Sequence, residues 1–334
     1  MVKRDDAPMT ILVTGVAGFI GYHVAEALMA RGDDVIGIDN LCDYYDVALK
    51  QARLDRLENH HAFTFKQIDI ADDGDMVTLS RSVGAVTGVV HLAAQAGVRY
   101  SLINPQAYVR DNIGGHLNVL EMCRHIEELR HIVYASSSSI YGANEKVPYS
   151  EADRVDRPVS LYAASKKADE AIAHTYSHLY GIPATGLRFF TVYGPWGRPD
   201  MAYYSFTEAV LRGDTIHAFN HGDMRRDFTY IDDVVAGVIA ALDQPPIAQV
   251  GDVPHRVYNI GSNESVGLLQ FIELIEAAVG KKAYVKMAPM QPGDVKETYA
   301  DITAIGRDLG FKPRTSLEAG ISLFVRWYRD YHGH

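Results

Sequence analysis

Short runs of apolar, β-branched residues alternate with stretches whose apolar positions recur at helical spacing, and glycines mark most of the joins. TILVT at residues 10–14 reads as a first strand. A glycine-rich turn follows, then IGYHVAEALMA reads as a helix that Gly32 stops. DVIGID ending at Asp39, FTFKQID ending at Asp69 and GVVHLAA ending near Ala94 read as three more strands. The rhythm continues with a long helix from about Gln106 to Glu127, the strand HIVYAS, and a second long helix from Leu161 to Tyr180 closed by Gly181. PATGLRFF is a sixth strand. Strand and helix in alternation call for an α/β fold, a Rossmann-type doubly wound parallel sheet with helices on both faces.

From Thr191 the character changes, because YGPWGRPDM is rich in Gly, Pro and aromatics. A helix over 202–211 stopped by Gly213, the run TIHAFN, a helix after Asp232, a strand VYNIG, an apolar helix over 265–279 and a final helix follow. Thr315 and Glu318 have the spacing of a capping box for that last helix. The expected division is a nucleotide-binding domain over 1–190, to which 228–261 returns, and a smaller C-terminal α/β substrate-binding domain built from 191–227 and 262–334.

The length of 334 residues suits that division. Apolar residues make up 47% and charged ones 22%, which predicts no long disordered segment beyond the first few residues. The charge of 32 − 42 = −10, without any block of like charges, argues against a nucleic-acid partner. Two cysteines, Cys42 and Cys123, are too few for a disulfide framework, so the expected compartment is the reducing cytoplasm. Neither a signal peptide nor an apolar run approaching 18 residues is found, which argues against secretion and a membrane span. The 14 histidines lack metal-ligand spacing, so no catalytic metal is expected.

Candidate chemistry sits where the strands end. Gly15, Gly18 and Gly21 lie between the first strand and its helix, where backbone amides and the helix N-terminus receive a pyrophosphate; alone, they also fit a simple tight turn. Asp39, 18 residues beyond Gly21, supplies a carboxylate for a ribose 2′-OH, and neither Arg nor Lys stands among Asn40, Leu41 and Cys42, which favours NAD over NADP. Asp69 and Ile70 end the third strand and face either the adenine or solvent. In Tyr162-Ala-Ala-Ser-Lys166 the phenol and ammonium share a helix face, and a neighbouring cation favours the phenolate of a general base. Ser136–Ser139 end the preceding strand at the edge where open α/β sheets hold ligands.

TGVAGFIG, HLAAQAGVR, YASSSSIYG, YAASK and RRDFTYIDD together resemble the extended short-chain dehydrogenase/reductases over nearly the whole chain. LRFFTVYGPWGRPDM, FNHG and MQPGDVKETYADI resemble, within that family, the UDP-glucuronate 4-epimerases, which interconvert UDP-glucuronate and UDP-galacturonate with tightly held NAD. The resemblance implies that Ser137 and Tyr162 face the sugar C4 oxygen and that Lys166 meets the nicotinamide ribose. It implies a cofactor site extending over Phe19, Ile20, Leu92, Ala93, Ala94, Gln95 and Asn112. On the substrate side it implies Phe219 and Asp294 around the uridine and a homodimer through the two long helices; Arg226 is the first candidate for the pyrophosphate and Arg99 the second, because Arg meets phosphate oxygens bidentately.

Relatives on this scaffold also dehydrate or decarboxylate. Dehydratases that resemble this chain carry an Asp-Glu pair where Ser138 and Ser139 stand, and serine is a poor acid or base for expelling a hydroxyl. An epimerase must hold the sugar carboxylate against decarboxylation, and Ser138, Ser139, Thr191 and Arg198 are the candidates, with a surface role as the alternative for Arg198. UDP-glucuronate decarboxylation and UDP-glucose epimerisation remain open on the same scaffold, as does, more remotely, a non-catalytic NAD sensor.

Overall fold

The computed structural model describes residues 8–247, 252–291 and 294–334. Most of the N-terminal stretch expected to lack order, and Pro292 and Gly293 of the MQPGDVKETYADI motif, lie outside the described residues.

Seven parallel strands form the central sheet: β1 (Thr10–Thr14), β2 (Asp34–Asp39), β3 (Phe63–Gln67), β4 (Gly88–His91), β5 (His131–Ser137), β6 (Ala184–Phe189) and β11 (His255–Ile260), in the order β11-β6-β5-β4-β1-β2-β3. Strands buried on both faces read as near-continuous apolar runs, and Ile11, Leu12 and Val13 are fully buried. Their side chains alternate: Ile11 and Val13 join one core with α1 (Phe19–Ala30) and α9 (Ile231–Leu242), while Leu12 joins another with α3 (Asp73–Ser80), α6 (Gly115–Arg124) and α7 (Leu161–Tyr180). The strand order turns back at β1, between β2 and β4, and opens a crevice at the carboxyl ends of β1 and β4.

Three strand pairs build a lobe over that crevice: β7 (Thr191–Tyr193) with β10 (Phe228–Tyr230), β8 (Thr215–Ala218) with β13 (Tyr284–Met287), and β9 (Arg225–Arg226) with β12 (Val266–Gly267). Helices α8 (Ala202–Arg212), α10 (Leu268–Val279) and α12 (Leu317–His332) pack on them. Phe228 stacks on Phe271 at 4.3 Å and Tyr203 meets Phe324 edge-on at 4.9 Å, aromatic geometries that fix the lobe's core. Between β10 and β11 the chain runs back beneath the sheet, where α9 packs on α1 and β11 pairs with β6.

Several local expectations need correction. The last helix is capped by Ser316, whose hydroxyl accepts from the Ala319 amide, so the box at Thr315 and Glu318 is displaced by one residue. The long helix near 106–127 is composite: two short helices, α4 (Tyr100–Ile103) and α5 (Pro105–Ala107), lead into a π-helical stretch, Tyr108–Gly114, before α6. The apolar helix near 265 begins at Leu268, because Val266 and Gly267 pair with β9. Helices α2 (Val47–Glu58), α3 and α11 (Thr303–Leu309) were not foreseen.

Candidate active site

The turn after β1 is held open by sterics. Gly15 has φ +71°, and a Cβ there would lie 2.8 Å from the Ala93 amide nitrogen; a Cβ on Gly21 would lie 2.2 Å from the Gly15 carbonyl oxygen. Backbone atoms cannot yield to such contacts, so these positions require glycine. Helix α1 starts at Phe19 with neither a side-chain cap nor an acidic residue in its first turn. Its leading amides and partial positive charge are free for an anionic group. The turn, the free helix end and Asp39 fit a dinucleotide.

Asp39 is committed on several sides. Its Oδ2 accepts from the Ala17 amide at 3.2 Å, its Oδ1 from Leu41 at 2.8 Å, and the Lys50 ammonium stands 3.7 Å away. Lys50 also donates to Cys42 Sγ at 3.2 Å, and Asp39 and Cys42 help hold it in its charged form against burial. Beside it, the buried Arg53 donates to the carbonyls of Ala17 at 2.7 Å and Trp196 at 2.6 Å, tying the glycine turn to the loop that follows β7. Neither cation was foreseen. On α2 the residues Lys50, Arg53, Leu54 and Leu57 form one buried face at i, i+3, i+4, i+7, and two charges in that stripe hide its apolar period.

β5 delivers the serines. Ser136 turns into the protein and donates to Glu170 Oε1 at 2.6 Å, while Ser137 caps the following turn by accepting from the Ser139 amide at 3.1 Å. Ser160 caps α7 through the Ala163 amide and sets Tyr162 and Lys166 over the end of β5. The Tyr162 ring meets the fully buried Tyr108 ring edge-on at 6.1 Å. Tyr108 OH donates to the Ala96 carbonyl at 2.9 Å and burial raises its pKa, so it stays a phenol. Lys166 is buried and donates to Asp169 Oδ2 at 3.0 Å. Asn112 is buried as a bracket: its Oδ1 accepts from the Gln95 amide at 2.7 Å and its Nδ2 donates to Ser165 Oγ at 2.9 Å.

One cavity of about 890 Å³ joins these parts and continues under the lobe. Of the candidate cofactor, catalytic and substrate residues named from the sequence, all line it except Asn112, which holds Gln95 and α7 from behind. At the far end, Arg99 donates to Asp294 Oδ2 at 3.0 Å and lies 5.1 Å over the Phe219 ring, so three separated positions meet in one cluster. Arg226 stands beside them, with burial and the Arg99 charge lowering its pKa against the opposing pull of Asp294. Its Nη1 donates to the Arg225 and Lys296 carbonyls at 2.8 and 3.1 Å. Arg198 is not alone: its guanidinium forks onto Asp200, with Nε to Oδ1 at 3.0 Å, and Tyr44 OH donates to the same carboxylate at 3.1 Å. Thr191, at the start of β7, lines the cavity with Ser138 and Ser139.

A parallel sheet with its cleft at the strand order's turning point, a glycine turn, a serine-ended strand and a Tyr-x-x-x-Lys helix define a Rossmann-type scaffold built to bind a dinucleotide. Residues 11–261 match the family described as NAD dependent epimerase/dehydratase, and the chain belongs to it. The chain is 49% identical to UDP-glucuronate 4-epimerase 4 of Arabidopsis thaliana over 334 residues, covering 97% of this chain and 76% of the relative. It is 52% identical to an uncharacterised 37.6 kDa protein of Escherichia coli O111:H-, covering 97% and 99%. A solved structure of UDP-glucuronic acid 4-epimerase from Bacillus cereus, in complex with UDP-glucuronic acid and NAD, superposes with a TM-score of 0.89 at 36% identity, covering 97% of this chain and all of that one. Among the described residues no helix is long and apolar enough to cross a membrane, and no group of three or more His, Cys, Asp or Glu could hold a metal ion.

Proposed function

We propose that this chain is a UDP-glucuronate 4-epimerase, an NAD-dependent isomerase that interconverts UDP-glucuronate and UDP-galacturonate. The observation that carries the reading is the single cavity running from Gly15 through Ser137 and Tyr162 to Arg226, with Ser138, Ser139 and Thr191 beside the reacting position. The domain over 1–190 and 228–261 holds NAD, with Asp39 on a ribose and Lys166 on the nicotinamide ribose. NAD supplies the acceptor and donor of the C4 hydride. Tyr162, with Ser137, would take the C4 hydroxyl proton and give it back to the C4 oxygen once the 4-keto sugar has turned its opposite face to the nicotinamide.

Residues 191–227 and 262–334 hold the UDP portion. Arg226 and Arg99 meet the pyrophosphate, and Phe219 and Asp294 meet the uridine, so binding energy is concentrated away from the sugar, which must turn over within the site. Oxidation at C4 makes the sugar a β-keto acid. Ser138, Ser139 and Thr191 hold its carboxylate by hydrogen bonds, with Arg198 behind them on Asp200.

The working form is a homodimer in the cytoplasm. Leu102, Ile103 and Val109 near the start of the long helical stretch, Leu117 on α6, and Leu179 and Tyr180 on α7 are exposed apolar residues that pairing would cover. A light-scattering mass of one chain contradicts the dimer. Incubating the purified protein with UDP-glucuronate and identifying the sugar tests the function. UDP-galacturonate is the expected product, and a UDP-pentose as sole product would make the chain a decarboxylase.

A further inference from the structure

Lys166 does not reach the cavity as an isolated ammonium. It forms a buried ion pair with Asp169, one helical turn further along α7, at 3.0 Å, with both side chains almost inaccessible. The other oxygen, Asp169 Oδ1, is buried without a partner. The groups facing the pair from neighbouring elements carry no compensating negative charge. His116 on α6 and His91 on β4 stack at 5.2 Å, and burial keeps both rings neutral. Tyr134 on β5 is held as a phenol by burial. On α7 itself Glu170 is adjacent, but its carboxylate is taken by Arg188 of β6 through both oxygens and by Ser136. Asp169 is therefore the one carboxylate among these groups that is free to balance the lysine.

We propose that Asp169 is a positioning residue, holding Lys166 charged and aimed so that its two remaining N–H bonds serve the nicotinamide ribose. A buried ammonium stripped of its counter-ion gives up its proton, with pKa falling by as much as 3–5 units. Burial in turn pushes the Asp169 carboxyl up to about 6, so the pair loosens on mild acidification. The proposal rests on Lys166 belonging to the cofactor site. It is tested by NAD binding, which needs no sugar substrate and so separates its failure from failure of the epimerase reading.

The experiment is calorimetric titration of NAD into the cofactor-stripped protein from pH 6.5 to 9.5, for the native chain and Asp169→Asn, alongside pH profiles of kcat/KM. The native protein should hold its NAD affinity across the range. Asp169→Asn should lose about tenfold or more toward pH 9.5, and the basic limb of its kcat/KM profile should move down by about one pH unit or more. Superimposable affinity and rate profiles for the two proteins would overturn the proposal. Should Asp169→Asn not fold, the native protein labelled with 13Cε-lysine gives the answer: the Lys166 resonance, assigned through Lys166→Arg, should step between pH 5 and 7 as its partner titrates, and a flat resonance refutes the pairing.

Discussion

Removing the charge of Glu170 probes the framework that holds the reacting groups. Glu170 Oε1 accepts from Ser136 Oγ at 2.6 Å and Arg188 Nε at 2.9 Å, and Oε2 accepts from Arg188 Nη2 at 2.9 Å. Arg188 Nη1 donates to Tyr141 OH at 3.0 Å, which itself donates to Asn259 at 2.6 Å, and the guanidinium lies 5.1 Å over the Tyr141 ring. The network ties β5, β6, β11 and α7 together beneath Tyr162. In Glu170→Gln the guanidinium is left buried without a counter-charge, and the amide NH2 opposes one of its donors. Breaking a buried pair in this way costs about 3–5 kcal/mol. With a urea m-value of about 3 kcal/mol/M for a chain of this size, the midpoint of urea unfolding, followed by far-ultraviolet circular dichroism, should fall by about 1 M or more. The double variant Glu170→Leu with Arg188→Met leaves neither charge behind and should recover at least half of the loss. A loss under about 1 kcal/mol in Glu170→Gln, or a double variant as unstable as the sum of the two single ones, would refute the reasoning.

Other consequences are as direct. Tyr162→Phe should keep its fold and NAD and lose about 10²–10⁴ in kcat, and retention of most activity ends the acid/base assignment. Gly21→Ala places a methyl against the Gly15 carbonyl, so NAD affinity measured by calorimetry should collapse by about a hundredfold or more, while unchanged affinity contradicts the turn geometry. Thr191→Ala should divert part of the flux to a UDP-pentose, measured by product chromatography; an unchanged partition removes Thr191 from the carboxylate site. Acid should destabilise the protein. His23 and His131, held near 4 by burial, and His116, held near 3, take up protons only on unfolding, so their stability contribution is present above about 6.5 and is lost as pH falls toward those values. Asp169, raised to about 6, acts in the opposite direction but is outnumbered by these histidines, so stability should fall between pH 6.5 and 5, checked by urea unfolding at the two pH values.

The sheet strands, α7 and the chemistry at their ends were legible because each carries its own local signal. β-branched runs and glycine stops mark the elements, and the Tyr162 to Lys166 spacing survives without tertiary knowledge. What stayed hidden depends on residues far apart in the chain. Arg99 was assigned to the pyrophosphate, apart from Phe219 and Asp294 at the uridine, and only the packing of the lobe over the sheet brings the three together. Asn112 clamps Gln95 and Ser165 together, a bracket between distant segments that no local pattern marks. Lys50 and Arg53 escaped because buried charges interrupt the apolar stripe of α2. The choice of NAD rested on Asp39 having no cation among its next three residues; Lys50 approaches it from a helix eight positions beyond Cys42, where local sequence gives no warning.

Incubating the purified protein with UDP-glucuronate deuterated at C4 tests the central claim most directly. Transient oxidation at C4 with return of the same hydride predicts UDP-galacturonate that keeps its deuterium at C4. Loss of that deuterium to water, or a UDP-pentose formed in place of the epimer, contradicts it.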